Sequence, residues 1–527
     1  MISLAVLAFF RTWRTKANYS QVDRELSRPL ESVRGRFLHF TSLSTISSER
    51  FVETRFLPMI LLLILNLKVW LAFQYPVTGW DESIYLLNAR RFMTGNDPYV
   101  FFELFRPPAI PYMISFIWHI TGENYFVAIA MQPVLATLAA GALYLLIKRM
   151  FEYKTAFIAS VLSLLIPTVF EDTNHVLVYS GVILFATASF YFLWVAIKER
   201  PEYYPIAFLS LALATLTRYT TLGLVPVFII IVVFNRRKLM SEASWNAEAD
   251  LWIWVAGAVF VTTWIPWLGW NYANSGDYNP LSSVINAYVV VRFSEAAAGA
   301  PIGPWYSYFE NMPAYVGLPG SVLLALGLVD RRTLKKERLI LLLWMAPFLL
   351  FLSYSRINDV RYYIEFSPAL AAFVALGATR LTNLPLFANR RGIIVWGLIG
   401  IYLAAMFNGS LNLSLQTLQG QQAEAPKMVE LANWIVAHSN HTDIGATNVV
   451  PPYLSYSTNR LFYDVNWIQG ESQILGVTPG QYMRKLNVTM IVVTSSYATD
   501  YNITQEPGFH LYGTVADYVI YRYIPSA

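Results

Sequence analysis

Charged side chains gather in one short stretch of an otherwise apolar chain. Between Gly79 and Pro111 the sequence reads GWDESIYLLNARRFMTGNDPYVFFELFRPPAIP, whereas only 13% of the whole chain is charged. A carboxylate can take a proton from an attacking hydroxyl, and an arginine can stabilise a leaving anion. The stretch therefore has the side chains for group transfer, and they are Asp81, Glu82, Arg90, Arg91, Asp97, Glu103 and Arg106.

The composition is that of a polytopic membrane protein. The 527 residues are 56% hydrophobic and 16% aromatic, which is far more apolar than a soluble domain. The formal net charge is +5, and we expect the basic residues on cytoplasmic loops rather than on a nucleic-acid surface. Cysteine is absent, which excludes disulfides, thiolate metal sites and cysteine nucleophiles.

Apolar runs predict about eleven transmembrane helices, because each is long enough, or nearly so, to cross the bilayer. The run 109–120 is too short, and we predict that it lies at the interface or re-enters the same face. With this count the basic loops all fall in the cytoplasm. The predicted spans are 57–75, 125–147, 155–170, 176–197, 204–217, 220–234, 251–270, 313–329, 338–354, 361–379 and 392–409.

The same count divides the chain into three parts. Residues 1–56 are predicted to be a cytoplasmic or interfacial segment, and 57–409 a transmembrane domain with its first external loop at 76–124. Residues 410–527 would then be extracytoplasmic, on the external face of a cell membrane or on a lumenal equivalent. Sequons support that side, since N-glycosylation occurs on secreted surfaces. They begin at Asn408, Asn412, Asn440, Asn487 and Asn502.

The last part is predicted to be a small α/β domain. Residues 428–437 have helical periodicity, and short β-rich runs alternate with polar turns after them. These runs are Ile444–Thr447, Leu461–Val465, Met490–Thr494 and Gly513–Tyr523.

Three later segments place polar residues at the ends of apolar runs. An ionisable residue at the membrane edge is by default a candidate functional residue. With the first loop, these segments are predicted to meet in one water-facing cavity. Their polar residues are Glu171, Asp172 and His175, then Arg218, and then Arg356, Asp359, Arg361 and Tyr362.

This set of side chains suits transfer from a lipid-linked phosphate donor. The leaving phosphate needs cations, which Arg106, Arg218 and Arg361 would supply through their permanent charge and forked donors. The incoming hydroxyl needs a base, for which we select Asp81. Apolar helices would shelter the lipid chain.

Each residue also has a simpler structural interpretation. Asp81 could cap the helix that follows it. Arg218 could extend to the lipid headgroups. Glu171, Asp172 and His175 could be ordinary loop residues exposed to water.

Several short motifs resemble a known class of enzyme. WDESIYLL, followed by FRPPAIPYM, resembles the first external loop of GT-C integral-membrane glycosyltransferases, particularly the protein O-mannosyltransferase and aminoarabinose-transferase branch. PWLGWNYANSGDYNP at 266–280 and VRYYIEFSPALA at 360–371 resemble two further motifs of that class. The resemblance implies a GT-C fold, a similar terminal domain and a dolichyl- or polyprenyl-phosphate sugar donor.

The resemblance also implies roles for individual residues. Asp81, within its Asp-Glu pair with Glu82, would be the catalytic carboxylate. Arg106 would replace the Lys that often precedes Pro-Pro in the family. Arg361, followed by Tyr362, would contact the donor phosphate.

One segment departs from the family pattern. Many relatives carry an Asp at the start of the span after the second external loop, where this chain reads HVLVYSG. Its acids come earlier, at Glu171 and Asp172, near His175. Such a pair also resembles the metal-binding acidic motif of oligosaccharyltransferase catalytic subunits, so the use of a divalent metal stays open.

The sequence thus predicts a membrane glycosyltransferase that works by one inverting displacement, with a protein, lipid or glycan as acceptor. Two alternatives stay open. An oligosaccharyltransferase-like enzyme would be favoured by a WWDYG-type motif, which the terminal domain lacks. A lipid or sugar transporter would be favoured by internal repeats, and the chain has no convincing one.

Overall fold

The computed structural model describes residues 49–77, 79–95, 106–241, 247–275, 304, 306–329, 336–355, 360–382, 391–501 and 508–524. This part of the chain is mostly α-helical, with one small sheet in its C-terminal region, so the predicted fold class is confirmed. Several residues singled out from the sequence lie outside the described residues: most of 1–56, Asp97, Glu103, Arg356, Asp359 and Asn502.

The described part of the membrane domain is a bundle of helices. Short 3-10 turns occupy Pro201–Tyr203, Tyr219–Gly223 and Val360–Phe366. The described helices are α1 (Glu49–Ala72), α2 (Trp80–Thr94), α3 (Ala109–Thr121), α4 (Tyr125–Met150), α5 (Tyr153–Leu165), α6 (Pro167–Asp172), α7 (Tyr179–Lys198), α8 (Tyr204–Thr217), α9 (Leu224–Ser241), α10 (Ala247–Ser275), α11 (Ser307–Glu310), α12 (Met312–Leu328), α13 (Lys336–Ser355), α14 (Ser367–Thr382) and α15 (Arg391–His438).

Every predicted span overlaps one of these helices. The chain is an integral membrane protein. Within the described residues, six helical stretches have the length and apolar composition to cross a bilayer. Other apolar helices, including α3, α5 and α12, are shorter. The number of crossings stays a prediction. The six long stretches are Glu49–Ala72, Tyr125–Met150, Tyr179–Lys198, Glu248–Ala273, Val360–Thr382 and Ile394–His438.

Contacts at both ends of α1 show how the segment between α1 and α4 is arranged. At one end Glu53 pairs with Lys148, near the end of α4. At the other end the Tyr125 hydroxyl, at the start of α4, donates to the Tyr75 carbonyl at 3.3 Å. Helices α1 and α4 are therefore antiparallel neighbours, and α2 and α3 connect them on one side. Whether 109–120 crosses the bilayer stays a prediction.

At the end of the bundle where Glu53 meets Lys148, further charged contacts join the helices. Lys148 also pairs with Glu49 at 2.8 Å, and Arg149 pairs with Glu199 at 3.0 Å. The start of α1, the end of α4 and the end of α7 thus lie on one face of the bundle. This is the face that the charge pattern assigns to the cytoplasm.

The C-terminal region is a five-stranded sheet flanked by short helices. Its strands are ordered β2-β1-β3-β5-β4, with β1 parallel to both β2 and β3, and β5 antiparallel to β3 and β4. Its elements are β1 (Ile444–Thr447), α16 (Pro451–Thr458), β2 (Phe462–Asp464), α17 (Val465–Leu475), α18 (Pro479–Lys485), β3 (Val488–Thr494), α19 (Ser495–Tyr501), β4 (Phe509–Val515) and β5 (Tyr518–Tyr523).

Two details of this region differ from the sequence reading. The β-rich run Gly513–Tyr523 contains parts of two strands, because the chain reverses at Ala516, whose φ of 47° is left-handed. The last predicted span and the helical stretch 428–437 belong to one continuous helix, α15. The predicted boundary at residues 409 and 410 therefore lies inside a helix.

Candidate active site

Helix α2 brings two neighbouring carboxylates to the face where α1 ends. It begins at Trp80, and Gly79 is its N-cap residue, with no side-chain capping bond. Asp81 and Glu82 lie in the first turn, where acids interact favourably with the helix dipole. Asp81 is therefore not the N-cap that the simpler interpretation required. A Cβ on Gly79 would lie 2.8 Å from Glu82 Oε2, so the cap must be small.

Asp81 pairs with the arginine that precedes the Pro-Pro motif. Arg106 Nη2 lies 2.8 Å from Asp81 Oδ1, and Arg106 Nη1 donates to the Tyr85 hydroxyl at 3.4 Å. The Asp81 side chain is 40% exposed, whereas that of Arg106 is 17% exposed. Arg106 Nε is buried with no hydrogen-bond partner among the described residues. The pair therefore has one accessible carboxylate and one unused cationic donor.

Arg218 lies at the turn between α8 and the next 3-10 segment, and it is held by an acid from a distant segment. Its Nε is 2.6 Å from Glu365 Oε1, and the Thr220 hydroxyl donates to Glu365 Oε2 at 2.6 Å. The guanidinium also packs against the rings of Tyr179 and Tyr362, at 4.9 and 4.7 Å from their centroids. Arg218 is thus an anchored cation, not a side chain extended to the headgroups.

Two tyrosines join these groups into one cluster. Tyr85 is buried, which raises its pKa, while the nearby charges of Arg106 and Arg218 act in the opposite direction. Tyr179 interacts electrostatically with Arg218, Arg361 and Asp172. Four segments distant in sequence therefore meet in this cluster. The predicted residues in this cluster are Asp81, Arg106, Asp172, Arg218, Arg361 and Tyr362.

The remaining predicted residues form a separate buried chain of ion pairs. His175 Nδ1 is 3.0 Å from Glu82 Oε1, and His175 Nε2 is 2.9 Å from Glu171 Oε1. The Tyr75 hydroxyl lies 2.9 Å from Glu171 Oε2, and Ser414 Oγ donates to the same oxygen. We call Glu82, His175 and Glu171 the buried relay.

Proton affinities in the relay follow from these contacts. Burial alone lowers the pKa of His175, but the charges of Glu82 and Glu171 and their hydrogen bonds raise it to about 10. Burial raises the pKa of Glu171, but His175, Ser414 and Tyr75 outweigh it, and the pKa falls below its usual value. The imidazole is therefore charged at neutral pH and lies between two carboxylates.

These residues do not form the metal site that the sequence left open. Both ring nitrogens of His175 already bond carboxylate oxygens. In the part of the chain that the structure describes, no group of three or more His, Asp or Glu residues is arranged to hold a metal. Metal dependence stays a question for the assay.

Sequence reasoning missed two buried charges beside these clusters. Lys68, in α1, is fully buried and donates to the Phe170 carbonyl at 2.5 Å and to Thr173 Oγ1 at 2.8 Å. Glu365, the partner of Arg218, was quoted within a motif but given no role. Both are lone charges next to apolar runs, and that is the signal that could have marked them.

Part of the membrane domain matches the model of a known enzyme family. Residues 105–270 match the family model described as dolichyl-phosphate-mannose-protein mannosyltransferase. That stretch contains Arg106, Glu171, Asp172, His175 and Arg218. A comparison with curated proteins found none with significant sequence similarity.

Solved structures extend the match to most of the chain. ArnT from Cupriavidus metallidurans bound to undecaprenyl phosphate is 12% identical, with a TM-score of 0.63, and the match covers 90% of this chain and 99% of ArnT. This chain has the GT-C glycosyltransferase fold. The Archaeoglobus fulgidus oligosaccharyltransferase, tethered to a peptide containing an NVT sequon, is 13% identical. Its TM-score is 0.60, and the match covers 90% of this chain and 75% of that one. The predicted resemblance to GT-C enzymes, which are glycosyltransferases, is confirmed.

Proposed function

We propose that this GT-C chain is a glycosyltransferase that moves a sugar from a polyprenyl-phosphate donor to an acceptor outside the cytoplasm. The observation that carries the proposal is the ion pair between Asp81 and Arg106. It sets a half-exposed carboxylate beside a cation, at the face where α1 ends and α2 begins. ArnT, which has the same fold, was solved with undecaprenyl phosphate.

The reaction we propose is one inverting displacement. The acceptor oxygen attacks the anomeric carbon as Asp81 takes the hydroxyl proton. The bond between that carbon and the phosphate oxygen breaks, and the electron pair leaves with the polyprenyl phosphate. Arg106 and Arg361 stabilise the growing negative charge, and Arg218 adds to the positive field of the cluster.

The different settings of the arginines suggest different tasks. Arg106 has an unpaired Nε donor and a partly exposed partner, so it can turn toward a phosphate without leaving a buried charge alone. Arg218 is neutralised by Glu365 inside the protein, and breaking that pair would be costly. We therefore assign direct phosphate contact to Arg106 first.

The activity can be tested with purified protein in lipid. Radiolabelled polyprenyl-phosphate sugars would be incubated with candidate protein, lipid and glycan acceptors, with and without a chelator. We expect label to move to an acceptor with inverted anomeric configuration. No transfer with any donor, under conditions where a known relative is active, would contradict the proposal.

A second function is favoured by the match to the Archaeoglobus fulgidus oligosaccharyltransferase, which covers 90% of this chain. The same assay separates the two, because a hydroxyl acceptor and an asparagine in a peptide give different linkages. Label on asparagine would favour the oligosaccharyltransferase-like reaction.

A further inference from the structure

Two adjacent carboxylates of α2 have opposite surroundings. The Asp81 side chain is 40% exposed, whereas that of Glu82 is only 4% exposed. Glu82 Oε1 accepts from the Val176 backbone at 3.3 Å and bonds His175 at 3.0 Å. A carboxylate enclosed in this way has no open path to an acceptor hydroxyl, although the motif places it beside Asp81.

The buried relay ties together four segments of the chain. Glu82 comes from α2, Glu171 and His175 come from α6 and the loop after it, and Tyr75 follows α1. Ser414 belongs to α15, the long helix that continues into the C-terminal region. The relay therefore fixes the first turn of α2 against both the bundle and α15.

Resting on the proposed function, we infer that Glu82 is a positioning residue: through His175 and Glu171 it holds the first turn of α2 so that Asp81 faces Arg106. Its contribution comes from charge balance as well as from hydrogen bonds. An imidazolium flanked by two carboxylates is stable when buried, and it loses part of that stabilisation when one carboxylate is removed. Nearby, Lys68 interacts electrostatically with both Glu171 and Asp172.

Two variants test this role, one that changes the charge of the relay and one that keeps it. Glu82→Gln keeps the hydrogen-bond geometry but leaves His175 with one carboxylate. We expect kcat to fall about 10- to 100-fold, the range that a displacement of about 1 Å can produce, with the donor KM within about twofold. The double variant Glu82→Gln/His175→Gln removes one charge of each sign. We expect its kcat to be at least tenfold higher than that of Glu82→Gln.

The outcomes separate this role from others. A double variant no more active than Glu82→Gln would show that the Glu82 carboxylate itself is needed, and it would overturn the inference. A wild-type kcat in Glu82→Gln would overturn it as well. If Glu82→Gln does not fold, Glu171→Gln takes its place, with the same kcat-only loss expected and an unchanged kcat contradicting the inference. An inactive wild-type protein would instead refute the proposed function.

Discussion

At the scale of single residues, Arg106 shows why residue type matters as well as charge. One guanidinium contacts both the Asp81 carboxylate and the Tyr85 hydroxyl and still has Nε unused. A lysine carries the same charge but lacks the planar fork that makes these contacts together. Arg106 therefore has the donors to contact the proposed base and a phosphate at the same time.

Replacing Arg106 by Lys tests that point. We expect kcat to fall about 10- to 100-fold. This is somewhat less than the loss expected from removing a whole transition-state donor, because lysine keeps the positive charge. Steady-state transfer kinetics measure it. Arg522→Lys is the matched control, since Arg522 pairs with Asp443 at 3.5 Å on the C-terminal sheet. Equal activity of both variants would exclude a special role for the Arg106 fork.

The relay predicts a loss of stability at alkaline pH. The pKa of His175 is raised to about 10 by Glu82 and Glu171, against about 6.5 when unfolded. A raised pKa contributes stability that is complete below the unfolded value and is lost as pH rises through the folded one. Tyr75 also faces the imidazole, with ring centroids 4.3 Å apart.

Thermal unfolding in detergent from pH 6 to pH 10.5 would measure this loss. We expect the wild-type midpoint to fall across that range and that of the Glu82→Gln/His175→Gln variant to fall less, because the variant lacks the His175 imidazole. Parallel curves for the two proteins would contradict a charged His175.

At the scale of elements, the close approach of two helices depends on paired glycines. A Cβ at Gly327 in α12 would lie 2.1 Å from the Phe373 carbonyl oxygen. A Cβ at Gly377 in α14 would lie 1.8 Å from the Leu323 carbonyl oxygen. The two backbones are therefore in direct contact, as small residues allow in membrane helix packing. Helix α14 also follows directly from the segment that carries Arg361 and Glu365.

Alanine at either position should separate these helices. We expect Gly327→Ala and Gly377→Ala each to lower the unfolding temperature by several degrees, the effect of overpacking by about 1–3 kcal/mol. Gly141→Ala, in α4, is the matched control, because a Cβ there meets nothing within 4 Å. A control that loses as much stability as the two variants would refute the packing argument.

A second feature at this scale is the contact between α2 and the C-terminal region. Arg90 pairs with Glu123 at 2.7 Å, donates to the Tyr456 carbonyl at 3.1 Å and lies over the Tyr456 ring. Helix α2 is thus held at its first turn by the relay and near its last turn by Arg90. The catalytic carboxylate that we propose lies on a helix anchored at both ends.

The sequence predicted elements better than contacts. Hydropathy located the apolar helices because each depends on its own residues. It did not show that α15 continues past residue 409, because polar residues interrupt the apolar run there and the helix is held in place by contacts such as Ser414 with Glu171. The sequence motifs placed the acids and arginines together, but they did not identify Glu365 as the partner of Arg218. These two residues are 147 positions apart, and only the fold brings them into contact.

At the scale of the whole molecule, charged contacts divide between two faces. Glu49, Lys148 and Glu199 lie on one face, and Asp81 and Arg106 lie at the other. The positive-inside rule predicts that the first face is cytoplasmic. The C-terminal region, which contacts α2, would then be extracytoplasmic.

Cysteine labelling can test this orientation cleanly, because the chain has no cysteine of its own. In intact cells, a membrane-impermeant maleimide should label Thr442→Cys, which is exposed in the C-terminal region. It should label Glu202→Cys, on the opposite face, only after the membrane is permeabilised. The reverse pattern would place the proposed active site in the cytoplasm.

The most direct test of the whole account is transfer by Asp81→Asn, compared with Asp517→Asn, which removes an exposed carboxylate from the C-terminal sheet region. Both proteins would be purified in lipid, checked for folding by thermal unfolding and given the donor on which the wild type acts. We expect Asp81→Asn to lose about 10²- to 10⁴-fold in kcat, the usual contribution of a general base, and Asp517→Asn to keep wild-type activity. Undiminished transfer by folded Asp81→Asn would contradict the account.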